Sequence, residues 1–250
     1  DEPVNFKGWS PKNYEKGYKG PMTLRDALAQ SVNTVAVKLA VEVGPRRGGL
    51  GAERPGNPPP PPATPANAPS IGGEDAPKGI GTPPPRQATA AIALGSYEVT
   101  PLEITGAYVP FSNGGFGVVP HVIQRIRSEG KTVYERRGSG LGRVIEPQHL
   151  AAINTMLAET LITGTAKKAQ IGGWPAAGKT GTSQDFRDAW MIGYTGLLTT
   201  GVWLGNDDNS PTNRATGGSI AATIWQRYMM EAHRGRPVVD VPGTIRRGLP

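Results

Sequence analysis

Gly178-Lys179-Thr180-Gly181-Thr182-Ser183 is the stretch that decides the fold of this 250-residue chain. It places a cation, two hydroxyls and a residue without a side chain on one short segment. In a β-strand successive side chains point to opposite faces, so Lys179 and Gly181 share one face while Thr180 and Thr182 share the other. Gly181 lets a second backbone approach closely. The pattern predicts an edge strand that docks an extended peptide and offers hydroxyls and a positive charge to an anionic end.

A companion motif, Ser31-Val32-Asn33, lies far upstream. Ser-x-Asn followed by Lys-Thr-Gly matches, in order, two of the three signature motifs of penicillin-binding proteins and class A β-lactamases. Four flanking blocks resemble the 1A-like group of class A penicillin-binding proteins: Met22 to Leu39, Ala93 to Glu103, Asp188 to Thr195 and Gly201 to Asp208. The resemblance covers most of residues 1–43 and 90–235.

The third signature motif, Ser-x-x-Lys, supplies the nucleophile in that family, and no such sequence precedes Ser31. The match Ser128-Glu129-Gly130-Lys131 lies after Ser-x-Asn, and its glycine and charged residues are typical of a hairpin turn. We therefore expect no nucleophile in this chain. We expect a C-terminal part of a transpeptidase domain that begins after the catalytic serine, so that Asp1 is not the natural N-terminus.

The resemblance implies catalytic roles for three residues. Ser31 would pass a proton towards the leaving amine, and Asn33 would hydrogen-bond the amide of the substrate. Lys179 would raise the local positive potential and help to hold Ser31 in place.

The same resemblance implies a substrate-binding set on the Lys-Thr-Gly strand. Thr180 and Thr182 would bind the terminal carboxylate of a D-Ala-D-Ala stem peptide or of a β-lactam, and Gly181 would leave room for the docked peptide. The backbone N–H of Thr182 would be one oxyanion donor, and the N–H of the missing serine would be the other.

Each motif also has a plain structural interpretation. Ser31 and Asn33 are suited to capping a helix joint, and Lys179 is suited to guarding an edge strand against aggregation. Two other functional classes stay open: a non-catalytic module that holds a peptide end, and a hydrolase related to the β-lactamases. The block Gly201 to Asp208 favours the class A transpeptidases over the hydrolase.

Composition excludes several other classes. The net charge of +7 indicates either a solvated basic surface or attraction to anionic lipid or wall polymer. The basic residues are scattered without interleaved aromatic residues, so we expect no nucleic-acid partner. The chain has no cysteine, and its histidines are too dispersed for metal-ligand spacing, so we expect no metal and no cofactor. No signal peptide is visible at Asp1, as expected if Asp1 is not the natural N-terminus, and no apolar run in the sequence is long enough to span a membrane.

Local patterns predict helices around the first motif. Thr23 with Asp26 marks a helix start, and apolar spacing predicts a helix over 24–43, broken near Ser31 because Ser and Asn compete for the backbone. Residues 45–85 hold roughly half of the 25 prolines and almost no large apolar residue. This segment is predicted to be disordered or polyproline II, as a genuine insertion or the product of a reading-frame error.

The second half alternates helices and strands. The predicted elements are a helix from Thr100 to about Ser112, a hairpin of Val118 to Arg127 with Thr132 to Arg136, a helix from Pro147, strands at 176–183, 188–195 and 199–206, and a helix from Ser219 to Ala232. The predicted fold is α+β (α/β in the broad sense), with three layers and a mostly antiparallel sheet covered by helices, truncated at its N-terminus. One domain over 1–235 would precede a C-terminal tail, 236–250.

The resemblance further implies a parent protein anchored in the bacterial inner membrane. It would carry a peptidoglycan glycosyltransferase domain, act at the periplasmic face and work beside other wall-synthesis proteins. In the family the missing segment carries sheet strands and the central helix. We therefore expect the isolated chain to be inactive, to expose apolar surface and to be unstable or prone to aggregation.

Overall fold

A computed structural model describes residues 1–6, 8–44, 90–95, 99–138 and 140–244. The proline-rich segment 45–85, for which disorder is predicted, lies outside the described residues, as do 96–98 of one family-like block. The helices are α1 Leu24–Ala29, α2 Asn33–Val43, α3 Pro101–Ser112, α4 Pro147–Ile162 and α5 Ala222–Ala232. The strands are β1 Phe116–Val118, β2 Arg125–Ser128, β3 Lys131–Glu135, β4 Gly140–Arg143, β5 Ala177–Thr182, β6 Asp188–Tyr194 and β7 Thr199–Gly205.

The central sheet consists of β5, β6 and β7, antiparallel and in that spatial order. Its register is continuous, with Lys179 opposite Ile192 and Gly181 opposite Trp190. The predicted strand positions are confirmed to within one residue at each end. Within the described residues β5 lies at an edge of this sheet, as its sequence predicts.

Helices cover both faces of the sheet. On the face of Ala177 and Tyr194, both buried, side chains of α1, α3 and α4 pack into one apolar cluster that includes Leu28, Tyr108, Phe111 and Leu157. On the opposite face, Trp225 and Met229 of α5 pack against Met191. The predicted arrangement of a mostly antiparallel sheet between helical layers is confirmed.

Trp225 anchors α5 to the sheet. Its side chain is fully buried, and its indole N–H donates to the carbonyl of Thr200 at 3.0 Å. Gly193 makes the room for the ring, because a Cβ there would lie 2.7 Å from the indole. Burying a tryptophan with its N–H satisfied contributes a few kcal/mol to an ordinary domain core, about the largest share a single side chain gives.

The predicted hairpin is correct in its turn and wrong in the length of its first arm. Strands β2 and β3 pair around Ser128 to Lys131, so the only Ser-x-x-Lys match of the sequence is a turn. The predicted arm Val118 to Arg127 is interrupted, and β1 pairs with β4 instead. Pro120 lies in the gap and has no N–H to give to a strand ladder, which accounts for the break.

The segment that follows residue 235 packs back onto the domain. Val241 is buried in the cluster beneath α4. Asn154 of α4 donates from its amide to the carbonyls of Phe111 and Pro242, both at 2.8 Å, and accepts from the hydroxyl of Tyr194 at 2.6 Å. Burial raises the pKa of that tyrosine well above its usual range. This buried amide therefore joins α3, β6 and the chain after 235.

Candidate active site

Ser31 lies in the turn that joins α1 to α2, in the left-handed region with φ of 57°. Its N–H donates to Leu28 O, and the next N–H, of Val32, donates to Ala27 O. These are the two hydrogen bonds of a Schellman motif, in which the residue after the helix cap adopts left-handed geometry. Glycine is usual there, so a serine is held at a cost of about 1–2 kcal/mol. The predicted break near Ser31 is confirmed, and the motif turns its side chain out of the helix.

Asn33 opens α2, and a distant loop holds that helix end. The residue at the N-cap is Val32, which has no polar side chain to offer. Asn13 supplies the missing cap, because its side-chain oxygen Oδ1 accepts the N–H of Thr34 at 3.2 Å. One N–H of the Asn33 amide donates to Lys12 O at 2.8 Å. Asn33 is half-buried, and among the described residues no other hydrogen bond engages its second N–H or its oxygen, so both are open to a ligand.

Lys179 connects the two signature segments. Its ammonium donates to Ser31 Oγ at 2.7 Å and to Thr180 O at 3.0 Å. Burial lowers the pKa of Lys179 to about 8, because removal from water disfavours the charged form. At neutral pH the side chain still carries its charge, at the point where the Ser31 turn meets β5.

Thr180 and Thr182 lie on the opposite face of β5, as the alternation predicts. The hydroxyl of Thr180 is paired with that of Thr165, with 2.5 Å between the oxygens. Thr182 is exposed, and its hydroxyl oxygen accepts the N–H of Gly217 at 3.1 Å. The hydroxyl proton of Thr182 is thus free of that bond and can be donated elsewhere.

A second backbone does approach Gly181 closely, and it comes from Gly217. A Cβ on Gly217 would lie 2.5 Å from Gly181 O and 2.3 Å from Trp190 O, so no other residue fits there without displacement. Gly217 begins a short π-helical turn, Gly217–Ala221, that continues directly into α5. The start of this helix is therefore pressed against the strand that carries Thr180 and Thr182.

Four of the six predicted site residues, Lys179 to Thr182, lie on β5. The fifth, Ser31, accepts a hydrogen bond from Lys179, and the sixth, Asn33, lies two residues after Ser31. Sequence reasoning did not find Asn13, Thr165 or Gly217, which hold this arrangement. Each acts on a residue distant in sequence, and neither spacing nor local propensity signals such a contact.

Across the described ranges no group of three or more His, Asp or Glu side chains is placed to hold a metal ion. No helix in those ranges is both long enough and apolar enough to cross a membrane.

A helix–sheet–helix domain in which a Ser-x-Asn turn is bonded to a Lys-Thr-Gly edge strand defines the class of penicillin-recognising transpeptidase domains. A family model described as the penicillin binding protein transpeptidase domain matches residues 1–230. The chain belongs to this family.

Sequence relatives point to the 1A group. The chain is 32% identical to penicillin-binding protein 1A of Aquifex aeolicus over 248 residues, covering 96% of this chain and 30% of that protein. It is 32% identical to penicillin-binding protein 1A of Neisseria lactamica, covering 95% of this chain and 28% of that protein. The chain therefore spans less than a third of the length of either relative.

Solved structures share the fold. Penicillin-binding protein 1A from Haemophilus influenzae aligns with a TM-score of 0.71 at 24% identity, covering 96% of this chain and 39% of that chain. PonA1 from Mycobacterium tuberculosis, solved in complex with penicillin V, aligns with a TM-score of 0.74 at 23% identity, covering 98% of this chain and 65% of that chain.

Proposed function

We propose that the Ser31–Asn33 turn and β5 form one wall of a serine D,D-transpeptidase site that cross-links peptidoglycan stem peptides. The observation that carries the proposal is the 2.7 Å hydrogen bond from Lys179 to Ser31, which joins the two signature segments at a sheet edge. Membership of the penicillin-binding family supports acyl-transfer chemistry. Its ligands would be stem peptides that end in D-Ala-D-Ala, and β-lactams.

The reaction proceeds in two acyl transfers. A serine hydroxyl gives its proton to a base, its oxygen attacks the carbonyl carbon of the penultimate D-Ala, the amide C–N bond breaks, and the terminal D-Ala leaves after its nitrogen receives a proton. An amine of a second stem peptide then attacks the ester carbon and loses a proton, the ester C–O bond breaks, and the serine oxygen leaves with a proton as the free hydroxyl. Ser31 relays the proton to the leaving nitrogen, and the ammonium of Lys179 orients the Ser31 hydroxyl.

Substrate positioning falls to the remaining residues of the wall. The peptide adds to the edge of β5, at Gly181 and its neighbours, as an extra strand. The hydroxyls of Thr180 and Thr182 hold the terminal carboxylate, and Asn33 binds a backbone amide with its remaining N–H and oxygen. The N–H of Thr182 is one donor to the oxyanion of the tetrahedral intermediate.

The nucleophile and its base lie outside these 250 residues in this proposal, because no Ser-x-x-Lys precedes Ser31. The chain alone is therefore inactive towards β-lactams. In the whole protein the domain acts at the periplasmic face of the bacterial inner membrane, beside a glycosyltransferase domain. These statements rest on the resemblance to the 1A relatives.

Labelling with a fluorescent penicillin tests the proposal. We expect the product of the complete gene to be labelled, with the label competed by a peptide that ends in D-Ala-D-Ala, and we expect no labelling of the purified 250-residue chain. Ser31→Ala in the complete product should slow acylation by about 10² or more, as for loss of a proton-transfer group. Ser10→Ala, an exposed serine, is the matched control. A label mapped to any serine of this chain, such as Ser128, would overturn the proposal.

A further inference from the structure

The short turn after α4 contacts two segments of the candidate site. The N–H of Thr165 donates to Ala29 O at 3.0 Å, two residues before Ser31. The hydroxyl of Thr165 pairs with that of Thr180 on β5. One residue thus touches the α1 end of the Ser31 turn through its backbone and the carboxylate-binding strand through its side chain.

Backbone packing fixes this turn independently of the Thr165 hydroxyl. A Cβ on Gly164 would lie 2.1 Å from Ala29 O, and a Cβ on Gly218 would lie 2.4 Å from Thr165 O. Gly218 follows Gly217, whose N–H bonds to Thr182. Because the main chain is confined on both sides, removal of the hydroxyl changes a hydrogen bond and leaves the course of the turn unchanged.

Proton counting gives the Thr165–Thr180 bond a direction. A hydroxyl has one proton and two lone pairs, whereas a carboxylate can only accept. If Thr180 donates its proton to a ligand carboxylate, its oxygen must receive the proton of Thr165. A donated proton of this kind also polarises the second hydroxyl and strengthens the bond that it makes in turn.

We propose that Thr165 is a positioning residue for carboxylate recognition: it donates to Thr180 and so directs the single Thr180 proton towards the carboxylate of the stem peptide or β-lactam. This inference rests on the proposed function of the same site. It predicts that Thr165 matters for ligands with a free carboxylate, that it does not matter for ligands without one, and that it acts through Thr180 alone.

The experiment measures the acylation efficiency of the complete gene product with benzylpenicillin and with its methyl ester. Thr165→Val should lower the efficiency with the acid by about threefold to tenfold, the effect of weakening one charge-assisted hydrogen bond. It should leave the efficiency with the ester within about twofold, and Thr165→Ser should restore the value for the acid. The matched control is Thr163→Val, two residues before Thr165, which removes an exposed hydroxyl that is bonded to Glu159. In a Thr180→Val background, Thr165→Val should have no further effect.

The outcomes separate the positioning role of Thr165 from the proposed transpeptidase function. An equal loss with acid and ester, a loss that persists in the Thr180→Val background, or no loss with the acid overturns the role of Thr165 and leaves the proposed function standing. A wild-type protein that reacts with neither ligand overturns the proposed function and the inference with it. If Thr165→Val does not fold, Thr165→Ala removes the same hydroxyl with a smaller side chain and is measured in its place.

Discussion

Ser31 combines a strained backbone with a functional contact. Its φ of 57° suits glycine, and yet glycine has no side chain to accept the bond that the Ser31 hydroxyl takes from Lys179. Non-glycine residues held in left-handed geometry are often found where function requires them. A cost in stability at this position is therefore consistent with the proton-relay role proposed for Ser31.

Comparison of Ser31→Gly with Ser31→Ala isolates that cost. Both variants remove the hydroxyl that accepts the bond from Lys179, so the difference between them reflects the backbone preference of glycine and alanine. We expect Ser31→Gly to be more stable than Ser31→Ala by about 1 kcal/mol in urea unfolding, because glycine adopts positive φ freely. At Ser10, which does not have positive φ, the glycine variant should show no such advantage. An alanine variant as stable as the glycine variant at position 31 would show that the left-handed turn does not persist in solution.

Lys179 makes stability depend on pH in a defined direction. Its pKa in the folded protein, about 8, is below the 10.5 of a lysine in water, so above pH 8 the unfolded chain binds more protons than the folded one. Stability must then rise with pH from about 8 towards 10.5, as the cost of burying the charge is relieved. Relative to Lys179→Met, the free energy of unfolding should increase by roughly 1–2 kcal/mol between pH 7.5 and 9.5.

The Lys179→Met reference also removes the contribution of the buried tyrosines. Burial raises the pKa of Tyr108 to about 12, so its titration in the unfolded chain lowers stability at still higher pH, equally in both proteins. Urea titrations at each pH provide the measurement. A difference between the two proteins that stays flat across this range contradicts the lowered pKa of Lys179.

At the scale of secondary structure, most element ends could be predicted because their signals are local. Thr100 accepts the N–H of Glu103, and the Glu103 carboxylate accepts the N–H of Thr100, as the capping-box sequence predicts. The cap of α2 could not be predicted, because Asn13 supplies it from 21 residues away. The pairing of β1 with β4 was missed for the same reason. Propensity and periodicity describe neighbours in sequence and do not identify distant partners.

The candidate site shows the same division. Alternation along β5 gave the correct faces for Lys179 and Thr180, because the period of a strand is a local property. The partnership of Lys179 with Ser31 came from resemblance to a family, and spacing alone did not indicate it. Thr165 and Gly217 were absent from the predictions because only the packed structure places them beside β5.

Gly217 determines how closely the helix that begins there approaches β5. In Gly217→Ala the new carbon would lie 2.3 Å from Trp190 O, so the helix start must move away and the N–H bond to Thr182 is lost. We expect a loss of about 1–3 kcal/mol in stability, although alanine has the higher helix propensity. Gly172→Ala is the control, since a Cβ there meets nothing within 4 Å, and it should stay within about 0.5 kcal/mol of wild type. A Gly217→Ala protein as stable as wild type in urea would contradict the close approach.

At the scale of the whole molecule, the described residues leave a strand edge and an apolar helix face open to solvent. Within the described part of the chain the outer edge of β7 has no partner strand, and its sequence from Thr199 to Gly205 contains no charged residue or proline to block pairing. Ile220, Ile224 and Tyr228 recur every fourth residue and are 41–55% exposed. Unprotected strand edges and exposed apolar stripes both promote association.

The purified 250-residue chain should therefore self-associate, and Ile224→Lys should shift it towards monomer. The lysine places a charge in the middle of the apolar stripe at a position that is already 41% exposed, so the fold should tolerate it and the melting temperature should change little. Sedimentation velocity over a series of protein concentrations measures the effect. Ala152→Lys adds the same charge at an exposed position of α4, away from the stripe, and separates a local effect from a general gain in solubility. If both lysine variants reduce association equally, net charge and not the stripe is responsible. A wild-type chain that stays monomeric at every concentration rules out both the β7 edge and the stripe as association sites.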